Sequence, residues 1–121
     1  MEFSHLFEEL KSIMQPYAMN LDCKKDEPGN YYLDTKFIME NKKPLYFGGV
    51  RINKNYVSYH LMPIYVNPEL LKSISSDLKK RMQGKSCFNF KAIDRKLFKE
   101  LDNLTQAAFN YIAKEYVQRK Y

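Results

Sequence analysis

The sequence is short of the residues that several protein classes require. Its 121 residues include no tryptophan, two cysteines, four glycines and five prolines. No stretch reaches the length of about 18 apolar residues that a membrane-spanning helix needs. The chain begins MEFSHLFEEL, which is acidic and amphipathic, whereas a secretory signal begins with positive charge and a continuous apolar run. We therefore expect no membrane span and a cytoplasmic location.

The two cysteines, Cys23 and Cys87, lie far apart and form no Cys-x-x-Cys pair. In a reducing compartment such residues are free thiols, and we expect one of them to be buried. The two histidines and two cysteines show no metal-ligand spacing, so the sequence predicts no metal site and no cofactor. His5 is expected to be a solvated residue of the first helix.

The residues that are present are typical of a soluble globular protein. Hydrophobic residues make up 45% of the chain and charged residues 28%, and tyrosine and phenylalanine supply the aromatic 15%. The length suggests one domain over residues 1–121, which needs neither a metal nor a disulfide to fold. The net charge of +6 favours anionic partners, although the basic residues are scattered and most are expected to be solvated.

Apolar periodicity predicts an amphipathic helix near each end of the chain. Apolar side chains recur at spacings of three and four in residues 3–14, and Pro16 is expected to end this helix. The same spacing recurs in residues 97–116, for which Asp94 is the expected N-cap.

The middle of the chain is interpreted from its turn residues. Residues 22–30 are expected to form a polar loop with a Pro-Gly turn, and residues 31–39 a strand. Asn67 is expected to cap a helix that starts at Pro68. Gly84 is expected to end the helical region, because glycine favours the position that follows a helix.

The run LYFGGVRINKNYVSYHLMP predicts a β-hairpin with a two-residue turn at Lys54-Asn55. Its register pairs Gly48 with Leu61, Gly49 with His60, Val50 with Tyr59, Arg51 with Ser58, and Ile52 with Val57. Alternation along the strands then separates a core face from an outer face. The predicted core side chains are Val50, Ile52, Val57, Tyr59 and Leu61. The predicted outer side chains are Phe47, Arg51, Ser58, His60 and Met62.

The segment SCFNF predicts a further strand. If Phe88 and Phe90 point to the core, alternation places Cys87 on the outer face with His60. The order of elements indicates an α+β fold, in which an antiparallel sheet has helices packed on one face and helices at the N- and C-termini.

Gly84-Lys85-Ser86 is similar to the end of a phosphate-binding loop, but its surroundings do not fit one. Such a loop has a second glycine five residues earlier, where this chain has Lys79, and it runs from a strand into a helix. Here a helical pattern precedes Gly84 and a strand pattern follows it. We therefore expect no nucleotide-binding loop, because no helix N-terminus is available to bind phosphate.

Three segments resemble the bacterial YdhG-like family, whose members largely have no assigned function. They are NKNYVSYHLMPIY, LKKRMQGKSCFNFK and a C-terminal helix containing LFKELDNLT, in matching order over roughly residues 35–112. The resemblance implies a compact α+β fold related to frataxin. One branch of the family is described as an intracellular iron chaperone that relies on acidic surface residues. This chain has only Glu8-Glu9 and Asp26-Glu27 as acidic pairs, so we carry over the fold and not the iron site.

The candidate ligand-binding residues lie on the outer face of the hairpin. His60 is paired with Gly49, and a glycine opposite the ring leaves room for a ligand or for another segment of backbone. A neutral imidazole at this place forms hydrogen bonds and titrates near neutral pH. The alternative is a partly buried histidine that is bonded to Ser58 or to a neighbouring strand. The predicted ligand-binding residues are Gly49, Arg51, His60, Met62, Lys85 and Cys87.

No catalytic residues are predicted, because the nearest arrangement is incomplete. Either Ser86 or Cys87 can approach His60, and a Cys-His pair is the minimum for a nucleophilic site. However, the sequence shows no group that would orient the histidine and no oxyanion-binding feature. A free cysteine is also inert unless its thiolate is stabilised.

The favoured function is therefore non-enzymatic binding of a small ligand or a protein partner. By family resemblance, the first alternative is an iron-handling chaperone. The second is nucleic-acid binding, because positive charge with Tyr59, Phe88 and Phe90 on strands is similar to a platform on which bases stack. Most of these aromatic residues are assigned to the core, which disfavours this second alternative. The sequence leaves open whether the protein is a monomer or a homodimer.

Overall fold

The computed structural model describes residues 3–117, which form an antiparallel sheet with helices on one face. The α-helices are α1 (Ser4–Met14), α2 (Met62–Val66), α3 (Ser76–Lys79) and α4 (Arg95–Ile112). Short 3-10 helices span Gln15–Asn20 and Pro68–Ser73, and a π-helical turn spans Ala113–Val117. None of the helices within this range is long and apolar enough to cross a membrane.

The sheet has six strands in the order β1-β2-β3-β4-β6-β5, and every neighbouring pair is antiparallel. The strands are β1 (Asp22–Glu27), β2 (Asn30–Ile38), β3 (Pro44–Ile52), β4 (Val57–Leu61), β5 (Met82–Gln83) and β6 (Cys87–Phe90). The prediction of an α+β fold with an antiparallel sheet and terminal helices is confirmed.

The central hairpin has the register that the sequence predicts. All five expected pairs are present, from Gly48 with Leu61 to Ile52 with Val57. The Asn53 N–H donates a 2.8 Å hydrogen bond to the Tyr56 carbonyl, which closes the two-residue turn. The hydrophobic pattern determines this register, because a slip by one residue would turn every buried side chain to the opposite face.

Strand β3 contains a β-bulge that changes the direction of its side chains. Gly48 pairs with Leu33, but the next pair along the strand is Tyr46 with Asp34, so Phe47 is an extra residue. The prediction that Phe47 lies on the outer face is wrong, because its side chain is completely buried. Burial of a phenylalanine contributes about 1.5–3 kcal/mol, which favours the bulge over regular alternation.

The interpretation of residues 22–30 as a loop is wrong for Asp22–Glu27, which forms strand β1. This strand is polar and almost wholly exposed at the edge of the sheet, so it has no apolar alternation that would identify it. It is held by pairing with β2 and by the Lys11 Nζ of α1, which lies 2.6 Å from Asp26 Oδ1. The expected turn follows at Gly29, whose φ is +79°.

The segment after the hairpin turns away from the sheet sooner than predicted. Met62 starts helix α2 with Pro63 in its first turn, so its predicted position on the outer face of a strand is wrong. The Met62 side chain instead packs, partly buried, against the core. Asn67 precedes a 3-10 helix that includes Pro68, but its side chain makes no capping hydrogen bond.

The prediction that Gly84 ends a helix is also wrong. Helix α3 ends at Lys79, and Gly84 lies instead in the turn between β5 and β6, with a φ of +76°. Leu78 and Met82 are four residues apart, which imitates a continuing helix, although Met82 already belongs to β5. A turn between two strands presents no helix N-terminus to a phosphate.

The helices and the inner face of the sheet share one buried cluster. It includes Leu10 of α1, Val50 of β3, Phe88 of β6 and Leu101 of α4. The predicted N-cap is confirmed, since the Leu97 N–H donates to the Asp94 carboxylate at 3.1 Å. The inward direction of Phe88 and Phe90 is likewise confirmed by their near-complete burial.

A buried hydrogen bond links the sheet to helix α4. The Tyr59 hydroxyl lies 2.6 Å from Thr105 Oγ1, and the Thr105 hydroxyl donates at 2.7 Å to the Leu101 carbonyl. Because a hydroxyl has one proton, Tyr59 must be the donor to Thr105. Both side chains are fully buried, so neither hydroxyl can bond to water instead.

We expect the destabilising effects of Thr105→Val and Tyr59→Phe to be non-additive. The double variant should lose less free energy of unfolding than the sum of the losses in the two single variants. Thr105→Val leaves a buried donor on Tyr59 without an acceptor, at a cost of about 1–3 kcal/mol. Once Tyr59→Phe has removed that donor, the same change should cost about 1 kcal/mol less. Urea unfolding of the two single variants and the double variant measures this coupling. Strictly additive free energies of unfolding would show that the hydrogen bond does not contribute.

Candidate functional site

Three aromatic rings line up on the outer face, the side of the sheet away from the helices. They come from three adjacent strands: Tyr32 from β2, Tyr46 from β3 and His60 from β4. The Tyr32 and Tyr46 ring centroids are 4.5 Å apart and stacked, and the Tyr46 and His60 centroids are 5.2 Å apart. We call these three residues the aromatic row.

Gly49 provides the space in which the aromatic row is assembled. It lies between Tyr32 and His60 in the register of the sheet, and the Tyr46 side chain leans over it. A Cβ atom at this position would lie 2.8 Å from Tyr46 Oη and 2.5 Å from the Tyr31 carbonyl oxygen. The space predicted opposite His60 is therefore occupied in part by the ring of Tyr46.

A cavity of about 310 Å³ opens beside the aromatic row. Its lining includes the three rings, Gly49 and the polar side chains of Lys25, Asn30, Arg51 and Ser58. Three of the residues expected from the sequence to bind a ligand, Gly49, Arg51 and His60, thus lie around one cavity. Its volume is near the lower end of the range of about 300–1,000 Å³ for small-molecule sites.

The charges around this cavity are unequally distributed. Lys25 and Arg51 are exposed cations, and neither is in an ion pair with any carboxylate of residues 3–117. The nearest acidic position on β2 is Asp34, which pairs with Tyr46 on the far side of the aromatic row from Arg51. Asp34 is 6% exposed, and burial raises the pKa of its carboxyl.

His60 is held in place by a hydrogen bond to the neighbouring strand region. Its Nε2 lies 3.0 Å from the hydroxyl of Ser86, which is itself buried. Burial lowers the pKa of His60, so the imidazole is neutral at physiological pH. The neutral ring packs against Tyr46 with an interplanar angle of 41° and can still offer or accept a hydrogen bond in the cavity.

Cys87 lies on the outer face beside His60, but the two side chains do not form a catalytic pair. Its thiol lies 3.6 Å from Asn89 Oδ1, and the hydrogen bond to His60 comes from Ser86 instead. Burial raises the pKa of Cys87, which keeps the thiol protonated at neutral pH and disfavours nucleophilic attack. Within the described part of the chain, no carboxylate hydrogen-bonds to His60 to orient it.

The other two residues expected to bind a ligand lie elsewhere. Met62 belongs to helix α2 and packs against the core. Lys85 lies in the turn between β5 and β6, where its Nζ is 6.0 Å from the centroid of the exposed Tyr65 ring. Neither residue lines the cavity beside the aromatic row.

Sequence reasoning missed the two tyrosines that form most of the aromatic row. Tyr32 was recoverable, because Tyr32, Asp34 and Lys36 alternate with the apolar residues of the same strand. Tyr46 was not, because regular alternation from Val50 places it on the core face. Only the bulge at Phe47 turns it outward.

Metal ligands are not gathered at this site. Among residues 3–117, no three or more His, Cys, Asp or Glu side chains are close enough together to hold a metal ion. Cys23 is an exposed free thiol at the edge strand, and Cys87 is a partly buried free thiol.

Comparison with known proteins gives no relative, since no family model, no curated protein and no solved structure matches this chain. The relation to the YdhG-like family and to the frataxin fold therefore stays a prediction. The function has to be inferred from the outer face itself.

We expect His60 to make the stability of the protein depend on pH. Because burial lowers the pKa of His60, the unfolded chain takes up a proton at this residue at a higher pH than the folded protein does. The free energy of unfolding should decrease as the pH falls through the ordinary titration range of histidine, by at most about 1.4 kcal/mol per pH unit. Urea unfolding at several values between pH 7.5 and pH 5 measures this decrease.

The matched variants are His60→Gln and His5→Gln. The first should remove the contribution of His60, so that its free energy of unfolding falls less with pH than that of the unchanged protein. The second replaces an exposed histidine of α1 and should retain the full decrease. The same pH dependence in both variants would contradict the role assigned to burial of His60.

Proposed function

We propose that this chain is a non-enzymatic binding domain whose ligand site is the cavity beside the aromatic row. The observation that carries this proposal is the stack of Tyr32 and Tyr46 next to Arg51, on the face of the sheet away from the helices. Both tyrosines lie on the outer face of the sheet, around a concave site that combines aromatic walls with polar and charged side chains.

The polar groups around the cavity suit binding more than catalysis. Asn30 and Ser58 offer hydrogen bonds, and His60 offers a neutral imidazole. Nucleophilic chemistry would require an activated and accessible side chain, whereas burial raises the pKa of Cys87. Ser86 does hydrogen-bond to His60, but its hydroxyl is buried and no carboxylate of residues 3–117 hydrogen-bonds to the imidazole to orient it. The site therefore supports recognition of a bound molecule.

Binding of single-stranded nucleic acid is the second candidate. One observation favours it: Tyr32 and Tyr46 are stacked on the outer face of the sheet of a protein with a net charge of +6. Bases stack on such aromatic platforms, and phosphates bind to nearby basic side chains. Affinity for an oligonucleotide would fall steeply with salt, because each phosphate contact adds to the salt dependence, whereas a small ligand with one or two charges would show a much shallower decrease.

The only support for a role in iron handling is the family resemblance, since the described residues contain no cluster of metal-ligating side chains. A protein partner remains an outcome of the same experiments, because it would contact a wider surface than the cavity. Its contacts would extend over Asn89 and Gln83 at the other side of the outer face.

We expect a small-molecule ligand to perturb the aromatic row and little else. Amide NMR spectra should be recorded during separate titrations with a mixture of common metabolites, a short single-stranded oligonucleotide and ferrous iron. The metabolite mixture should shift the signals of Tyr32, Gly49 and His60. Shifts that appear only with the oligonucleotide and fade with salt would favour the second candidate. Shifts from the metabolites that leave the outer face unaffected would contradict the proposal.

Tyr46→Ala should weaken binding of any ligand found in this way by at least about fivefold, because an aromatic stacking partner contributes about 1–3 kcal/mol. Tyr65→Ala is the matched control, since Tyr65 is an exposed tyrosine of α2 that does not line the cavity. Isothermal titration calorimetry measures both affinities. Equal losses in the two variants would show that the effect does not come from the aromatic row.

A further inference from the structure

We propose that the ligand of this site is a small planar aromatic anion, such as an aromatic carboxylate or an aromatic ring that carries a phosphate. This inference rests on the proposed function, because it specifies what the cavity beside the aromatic row binds. It follows from three features of the cavity: its flat walls, its unpaired cations and its size.

The walls of the cavity favour a flat ligand. Tyr32 and Tyr46 are stacked with an interplanar angle of 27°, and His60 continues the row on the next strand. Gly49, between them, has no side chain, and the Tyr46 side chain partly fills the space above it, which brings the three rings close together. Aromatic rings interact favourably with such walls at centroid distances of about 4.5–7 Å.

The charges at the cavity favour an anion. Arg51 and Lys25 both line it, and neither is neutralised by a carboxylate within residues 3–117. The ion pairs among residues 3–117 involve three basic side chains, Lys11, Lys72 and Arg95, so an unpaired cation is common on this surface. What sets Arg51 and Lys25 apart is that both line the cavity beside the stacked tyrosines. A guanidinium binds a carboxylate or a phosphate with two parallel hydrogen bonds, which makes Arg51 the expected anchor.

Asp34 determines the orientation of the ligand. It lies beside Tyr46, whereas Arg51 pairs with Asn30 toward the other end of strand β2. An anionic group near Asp34 would be repelled, whereas at the other end the two cations Arg51 and Lys25 outnumber the one described carboxylate, Glu27 of β1, which lies opposite Asn30. The acidic group of the ligand should therefore point toward Arg51 and Lys25, and its ring should lie against Tyr32 and Tyr46.

The size of the cavity favours a small molecule over a polymer. Its volume of about 310 Å³ accommodates one ring or a fused pair with a short acidic substituent. An oligonucleotide would need several such stacking positions along a basic groove, whereas the aromatic row provides a single one.

Four matched compounds test this inference at pH 7. They are 4-hydroxybenzoate, a planar anion; 4-hydroxybenzamide, its neutral analogue; tyramine, an aromatic cation; and cyclohexanecarboxylate, an anion that is not planar. Each is titrated into the full chain and followed by the amide signals of Tyr32, Gly49 and His60. We expect 4-hydroxybenzoate to bind at least about tenfold more tightly than each of the others, because only it can both stack and form charge-assisted hydrogen bonds.

The variant Arg51→Gln removes the charge of Arg51 and keeps a long polar side chain at this position. This variant should weaken the binding of 4-hydroxybenzoate by about tenfold and leave that of 4-hydroxybenzamide within about twofold. Arg81→Gln, which replaces an exposed arginine that does not line the cavity, should change neither affinity. If Arg51→Gln weakens the binding of 4-hydroxybenzoate and of 4-hydroxybenzamide equally, Arg51 does not recognise the anionic group and the inference is wrong.

The remaining outcomes separate this inference from the proposed function. If tyramine, the amide or the cyclohexane acid binds at the aromatic row as well as 4-hydroxybenzoate does, a ligand site exists but the class proposed here is wrong. If affinity for oligonucleotides rises steadily with their length, the inference fails in favour of nucleic acid. If neither these four compounds nor the metabolite mixture shifts the outer-face signals, the proposed function fails together with it.

Discussion

The bulge in strand β3 is the constraint on which both the core and the candidate site depend. By inserting Phe47 as an extra residue, it lets Phe47 and Gly48 both face the core in succession. The same insertion turns Tyr46 to the outer face, where it leans over Gly49. The burial of Phe47 in the core thus places its neighbour Tyr46, which is partly buried, on the opposite face of the sheet.

The side chains of the outer face have different interaction partners from those of the inner face. On the inner face, apolar packing is accompanied by a satisfied buried hydrogen bond from Tyr59 to Thr105. On the outer face, Tyr32 and Tyr46 stack on each other at the surface, and Arg51 has no described carboxylate partner. An unpaired surface cation adds little to folding, and its place beside the two rings is what supports the proposed recognition of another molecule.

Much of this fold follows from the sequence, and the exceptions have identifiable causes. Both terminal helices and the hairpin register were predictable, because apolar side chains repeat at the helical or the strand period. Strand β1 was missed because pairing with β2, and not burial, makes it a strand. The site was half predictable: Gly49, Arg51 and His60 follow from the hairpin, whereas Tyr46 depends on a bulge that tertiary packing selects.

The central claim, that the cavity beside the aromatic row binds a ligand, is tested most directly by soaking crystals of the protein with a library of small fragments. The account predicts that bound fragments gather against Tyr32 and Tyr46, with acidic groups directed at Arg51. Two other cavities provide an internal comparison, one between Leu70 and helix α4, and one between Leu21 and the end of that helix. Fragments that occupy these cavities and leave the aromatic row empty would contradict the account.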